Sequence, residues 1–320
     1  MALLLTLPVS AQETEEFKPS GKLSGLLFAN FHATFSGGKN LTSFEVNRAF
    51  LGYEHSFSKT FTARLLYDGS ARVYSGRSMI TGYLRNAYIQ FDNGRINIRG
   101  GLITPEQILI LEKFWTYRYL FPPYIERAGM AFSSEPGVSF KYKPSDNTAI
   151  DFSVLNGRGF RDILPDTTLR VTAGVSLNPF HGVSLRCYAD GMGLNGNMQQ
   201  TFGALAAYRG KNFYIGTECL FQRNHLRYEG NNYSAVSLFA SLILKSGSSL
   251  FTRYENISSS VMPGESEPWN IEKDGNTIVA GFEYIPARNV RFAPIINCSF
   301  PADKNTDPVI YAEVNMEAAF

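Results

Sequence analysis

The chain has 320 residues, of which 14% are aromatic and 18% charged, and its formal net charge is +2. So small a charge, with Lys and Arg scattered and not clustered, excludes nucleic acid as a partner. Mean hydropathy is -0.13 and no run of about 18 apolar residues occurs, which excludes a transmembrane helix but suits a membrane barrel, whose alternating strands average to near zero.

In chain order, the first eleven residues, MALLLTLPVSA, read as the remnant of a secretory signal peptide. An apolar stretch, the breaker Pro8 and the small residues Val9-Ser10-Ala11 predict cleavage after Ala11. A single barrel domain is then expected over 12–320. Strands are predicted near 22–35, 43–56, 60–69, 82–92 and 95–103, with the alternation around Val46 to His55 less clean than elsewhere.

The segment 104–134 interrupts this series. Pro105 at the first helical position and Glu106 in the first turn start a helix predicted over Glu106–Tyr119, which Pro122-Pro123 would end. A long apolar connection carrying Trp115 is unlike one that hangs in water. It is expected to fold into the lumen and narrow it.

Further strands are predicted near 135–144, 147–156, 167–178, 182–190, 200–209, 212–223, 232–246, 248–257, 275–285, 289–299 and 307–320, about sixteen in all. Alternation carries them. Leu169, Val171, Ala173, Val175 and Leu177 interleave with Arg170, Thr172, Gly174 and Ser176. The last strand is the cleanest: Ile310, Ala312, Val314, Met316, Ala318 and Phe320 share one face, and Tyr311, Glu313, Asn315 and Glu317 the other.

Connections alternate as well. Ser58-Lys59, Asp92-Asn93-Gly94, Ser145-Asp146, His181-Gly182, Gly210-Lys211, Gly247-Ser248 and Ala287-Arg288 read as tight turns. The segments 36–42, 70–81, 104–134, 157–166, 191–199, 224–231, 258–274 and 300–306 read as long loops. Short periplasmic turns and longer extracellular loops give an outer-membrane barrel this rhythm. The expected fold class is therefore all-β: a transmembrane antiparallel up-and-down β-barrel of about sixteen strands, with a helix-bearing loop in the lumen.

Other signals are weak. Gly191 to Gly196 matches GxGxxG, but an alternating strand follows it where a dinucleotide site needs a helix. Cys187, Cys219 and Cys298 form no CxxC pair, and strands two steps apart, as expected for Cys187 and Cys219, are too distant for a disulfide. His32, His55, His181 and His225 show no metal spacing, and no GxSxG elbow occurs. No catalytic residue, metal or cofactor is expected.

The stretch RNAYIQF…INIRGGLITPEQILILEKFWTYRYLFPPYIERAGM resembles the porin O/P family, the phosphate- and polyphosphate-selective outer-membrane porins. The resemblance rests on Ala87-Tyr88, on Gly101-Leu102-Ile103-Thr104-Pro105 and on Glu126-Arg127, with FEVNRAFLGYEHSF similar to the family's second strand. At motif level it covers roughly residues 43–130. It implies a diffusion pore in outer-membrane lipid, usually a homotrimer, and a terminal aromatic, Phe320, read by the insertion machinery. Strongly phosphate-selective members carry an Arg ladder and a Lys ring. Here Arg64, Arg85, Arg170, Arg186, Arg253 and Arg291 are mixed with Asp151, Glu218, Glu255, Glu283, Glu313 and Glu317, and Lys113 is the one Lys of the long loop.

The candidate pore-lining and constriction residues are Arg64, Arg85, Glu112, Lys113, Arg118, Glu126, Arg127, Lys141, Arg170, Arg186, Arg253 and Glu283. Pore selectivity depends on lumen width and such charges. The plainer alternative has them pair with one another along the wall, with Glu126 and Arg127 tying the loop to it. The expected function is passive diffusion of small hydrophilic solutes or ions, with anions such as phosphate as candidates. A plugged structural or adhesive barrel binding partners through its extracellular loops is the alternative reading.

Overall fold

The computed structural model describes residues 17–74, 77–161, 168–193, 196–245 and 247–320, so the expected signal remnant lies outside the described residues. Sixteen antiparallel strands close into one barrel. They are β1 (Ser20–Ser36), β2 (Lys39–Ser56), β3 (Phe61–Tyr74), β4 (Arg77–Asp92), β5 (Ile96–Ile103), β6 (Glu135–Ser145), β7 (Thr148–Leu155) and β8 (Arg170–Leu177). The second half comprises β9 (Val183–Met192), β10 (Gln199–Arg209), β11 (Phe213–Arg223), β12 (Tyr233–Ile243), β13 (Ser249–Ser259), β14 (Gly275–Ala287), β15 (Val290–Pro301) and β16 (Val309–Ala319). Each pairs with its sequence neighbours, and β1 pairs with β16 to remove the sheet edge.

Period-two alternation sorts the two faces. In β16, Ile310 and Val314 are exposed while Asn315 is buried, and in β8 Val171 and Val175 are exposed while Arg170 and Thr172 are buried. Apolar side chains therefore face outward along the whole wall, where lipid and not water is their solvent. This is a transmembrane β-barrel. Gly25 and Phe320 close the seam with two backbone hydrogen bonds, at 2.7 and 2.9 Å. A Cβ on Gly25 would stand 2.3 Å from the Phe320 ring, so only glycine lets the ring lie over this strand.

Two segments expected as long loops differ: among the described residues, 36–42 and 70–81 are mostly strand, and β1 to β4 run to 17, 18, 14 and 16 residues. Gly37 and Gly38 both take positive φ, 54° and 76°, which allows a two-residue hairpin in place of a loop. Polar residues above the membrane pair as well as apolar ones, because strand pairing is made by backbone.

The lumenal segment is also shorter in helix than expected. Helix α1 spans Glu106–Phe114 with Pro105 as its N-cap, and a second helix, α2, spans Tyr124–Arg127 after Pro122-Pro123. Trp115 leaves the helix because its indole N–H donates to the Phe121 carbonyl at 2.9 Å, and Tyr117 stacks on Phe251 of β13 at 4.2 Å. These contacts need an open backbone between Trp115 and Pro123.

The core of the molecule lies inside the barrel, between this segment and the wall. Ile108, Leu111, Trp115, Tyr117 and Ile125 pack against Leu205, Tyr214, Leu220, Phe239, Phe251 and Val279 of β10 to β14. Burying Trp115 and Tyr117 here is worth several kcal/mol of apolar transfer, on the order of 2–3 kcal/mol each. The segment is thus docked, and the open part of the lumen is displaced toward β1 to β6.

Candidate pore and constriction

Asn86 clasps the neck of the lumenal segment. Its amide donates to Thr104 Oγ1 and Ser134 Oγ, both at 3.1 Å, and so joins the segment's entry and exit. Asn86 pairs with Leu66 and Leu84 pairs with Tyr67, leaving Arg85 without a partner on β3. This β-bulge turns Arg85 inward beside Asn86, where strict alternation would send one of the two into lipid.

Around the segment lies a set of ion pairs, most of them buried. Arg186 grips Asp151 through both guanidinium nitrogens, at 2.7 and 3.0 Å, and donates to Gln107 of α1 at 2.6 Å. Arg99 donates to Glu106 at 2.9 Å, and Lys141 pairs with the other oxygen of the same carboxylate. Burial alone would raise the Glu106 pKa, but Lys141 and Arg99 outweigh it and hold the carboxyl below its ordinary value. Arg170 pairs with Glu135 at 3.1 Å. Arg253 forms an ion pair with Glu255 at 2.9 Å, donates from Nε to Ser237 Oγ at 3.0 Å and lies 4.3 Å from the Trp115 ring centre. Arg127 reaches the same Glu255 at 3.0 Å, and Tyr119 donates to Glu283 at 2.9 Å.

In front of the segment, a cavity of about 840 Å³ opens at the tight-turn end, which is the periplasmic end of such barrels. Lys22, Arg64, Arg85, Arg95, Arg99, Lys113, Arg118, Lys141 and Lys143 line it, against the carboxylates Asp92, Glu106 and Glu112. Nine cations face three anions. At its inner end the wall presents Arg48, Arg85 and Phe50, and the segment presents Glu112, Arg118 and Glu126. Arg118 bridges Glu112 at 2.9 Å and Glu126 at 3.3 Å, Arg85 stands 3.7 Å from Glu112, and Arg48 pairs with buried Asp68 at 2.8 Å. A second cavity of about 350 Å³, lined by Phe121, Arg127, Tyr311 and Glu313 among others, lies toward the long-loop end and shares no lining residue with the first. The stretch from Arg118 to Phe121 stands between them.

No family model and no curated protein matches the chain. Solved structures do. OmpF of Salmonella typhi, in complex with daunomycin, superposes with a TM-score of 0.71 at 12% identity, over 93% of this chain and 97% of that one. OprB of Pseudomonas putida gives 0.68 at 8% identity, over 94% of each chain. The trimer form of OmpT of Vibrio cholerae gives 0.66 at 12% identity, over 94% of this chain and 99% of that one. The chain has the porin fold.

The candidate residues divide by place in that fold. Arg64, Arg85, Glu112, Lys113, Arg118 and Lys141 line the larger cavity, Arg64 also pairing with Glu54 at 3.5 Å. Glu126 stands at the constriction through Arg118, and Arg127 lines the smaller cavity. Arg170, Arg186 and Arg253 face inward but are only 2%, 2% and 1% exposed, and Glu283 is 7% exposed, because the lumenal segment covers them. Sequence reasoning did not single out Arg48 and Asp68 at the constriction, or Lys22, Arg95, Arg99 and Lys143 in the vestibule. Arg48 follows a second bulge, at Asn47, that shifts the phase of β2; Lys22, Arg95 and Lys143 stand near strand ends where alternation is short, and Arg99 stands midway along the short β5.

Proposed function

We propose that the protein is an outer-membrane porin through which small hydrophilic solutes diffuse passively, with anions favoured and phosphate among them. The observation that carries this reading is the vestibule, where nine cationic side chains face three carboxylates along the path to the constriction. A charged cleft with low-dielectric walls concentrates ions of the opposite sign. The resemblance of residues 43–130 to phosphate-selective porins supports the same preference.

Arg64, Arg85, Lys113, Arg118 and Lys141 would meet the solute, with Glu112 and Glu126 opposing them across the constriction. Arg127, Arg170, Arg186, Arg253 and Glu283 would hold the lumenal segment in place, since breaking one member of a buried pair is costly. Phe320 would serve as the signal for insertion into outer-membrane lipid. A homotrimer is the proposed assembly, as the trimer form of the similar OmpT suggests.

Single-channel recording of the refolded protein in a planar bilayer, under a KCl gradient and then with added phosphate, tests this. Steady openings with a reversal potential on the chloride side are expected. The separation of the two cavities by Arg118 to Phe121 favours one rival, a plugged barrel that binds partners through its loops. A correctly folded barrel without conductance would establish the rival and refute diffusion.

A further inference from the structure

Arg85 is 6% exposed, yet its Nε meets no hydrogen-bond acceptor among the described residues. Its nearest carboxylate oxygen, on Glu112, is 3.7 Å away, beyond hydrogen-bond length. A guanidinium carries five N–H donors and stays charged, and leaving such a group short of acceptors in a confined place is costly. One face of the Arg85 guanidinium is shielded by the Phe50 ring, with centre 5.1 Å away, and its bulge turns it toward the vestibule.

The surroundings of that guanidinium are apolar on the wall side. Phe50 packs edge-on to Phe28 at 5.7 Å, and Leu26 and Leu66 continue the same cavity wall. On the loop side stand Glu112 and Glu126, both engaged by Arg118. Across the constriction Arg48, Arg85 and Arg118 balance Asp68, Glu112 and Glu126, so the place has no surplus charge for a multiply charged anion.

We propose that the inner end of the vestibule is a binding subsite for singly charged organic carboxylates with a compact apolar body. This rests on the diffusion reading above and names the solute class within it. The carboxylate takes the open donors of Arg85 in the two-point geometry that guanidinium and carboxylate share. The apolar body lies on Phe28, Phe50, Leu26 and Leu66, which offer an inorganic oxyanion no donor. A phosphate dianion would meet three arginines already balanced by three carboxylates, beside an apolar wall, and gains no surplus charge attraction there. The cationic vestibule draws either anion in, and the subsite distinguishes them.

The test is current block in single channels of the full-length protein, comparing sodium benzoate, acetate and phosphate added at the periplasmic side. Saturable block by benzoate is expected at concentrations roughly tenfold below those at which acetate or phosphate acts. Arg85→Gln is expected to weaken benzoate block about tenfold, the size of one lost charge-assisted hydrogen bond. Phe50→Ala is expected to narrow the gap between benzoate and acetate, and it serves if the Arg85 variant does not fold. Equal block by benzoate, acetate and phosphate, or undiminished benzoate block in a folded Arg85→Gln barrel, overturns the proposal. A channel that conducts but ignores benzoate sinks this subsite alone, whereas a folded barrel that does not conduct sinks the diffusion reading itself.

Discussion

Arg118→Gln is the perturbation that isolates the constriction. Arg118 sits between Glu112 and Glu126 at 2.9 and 3.3 Å, and with it three guanidinium groups balance three carboxylates. The variant keeps a side chain of similar reach but leaves the constriction with one surplus negative charge. An ion in the aqueous path about 7 Å away feels that charge with an energy of about 0.6 kcal/mol in water. At 0.1 M salt the Debye length of about 10 Å leaves roughly half of it. Cation occupancy then rises and anion occupancy falls by about 1.6-fold each, and the cation-to-anion ratio rises two- to threefold. Reversal potential under a KCl gradient reads this directly, and it is expected to move toward the potassium side. Glu112→Gln is expected to move it the other way. A reversal potential that stays put in Arg118→Gln, or moves toward chloride, would falsify the placement of Arg118 on the ion path.

Arg186→Met should destabilise the barrel by about 3–5 kcal/mol, because it strands Asp151, which is 3% exposed, without its bidentate partner. Thermal unfolding in detergent measures this, and adding Asp151→Leu to the same chain should recover most of the loss. The Glu106 carboxyl titrates below its ordinary value, so its ion pairs with Lys141 and Arg99 stabilise the docked segment above the usual carboxylate range. That stabilisation is lost as pH falls through the depressed value, and channel noise should rise there, an onset absent from Glu106→Gln. Phe320→Ala removes the ring that covers Gly25 at the seam. Its expected result is slower assembly into vesicles, with channels that do form keeping the sign of their reversal potential.

The wall was legible in the sequence because lipid and lumen impose opposite demands on alternate residues. Ile310 and Val314 had to be apolar and Asn315 had to be polar, and that contrast is a period of two. The contrast fades where lipid is absent. Beyond the membrane the strand ends flanking Gly37-Gly38 and those at 72–74 and 77–79 include polar residues, so they read as loops although they pair as strands. It also fails at bulges, since one extra residue inverts the phase of everything after it. Arg48 was missed for that reason. Helix was overextended past Phe114 because Pro122 is the next residue whose own chemistry forbids helix, whereas the actual stop depends on Trp115 and Tyr117 finding partners over a hundred residues away.

The same limit explains the candidate site. Period two predicts that Arg170 and Arg186 face the lumen, but inward does not mean wetted. Whether an inward arginine meets solute depends on what the lumenal segment covers, and local alternation carries no record of that. One record does exist elsewhere in the chain. An open, water-filled barrel would want polar residues inside throughout, yet β10 to β14 turn Leu205, Tyr214, Leu220, Phe239, Phe251 and Val279 inward. Those positions break the lumen's polar rule most densely on that side, whereas beside the vestibule the break is confined to Leu26, Phe28, Phe50 and Leu66 of β1 to β3. Read together with the apolar α1 they mark the docking wall, and by subtraction they mark β1 to β6, with Arg64, Arg85 and Lys141, as the side that stays open.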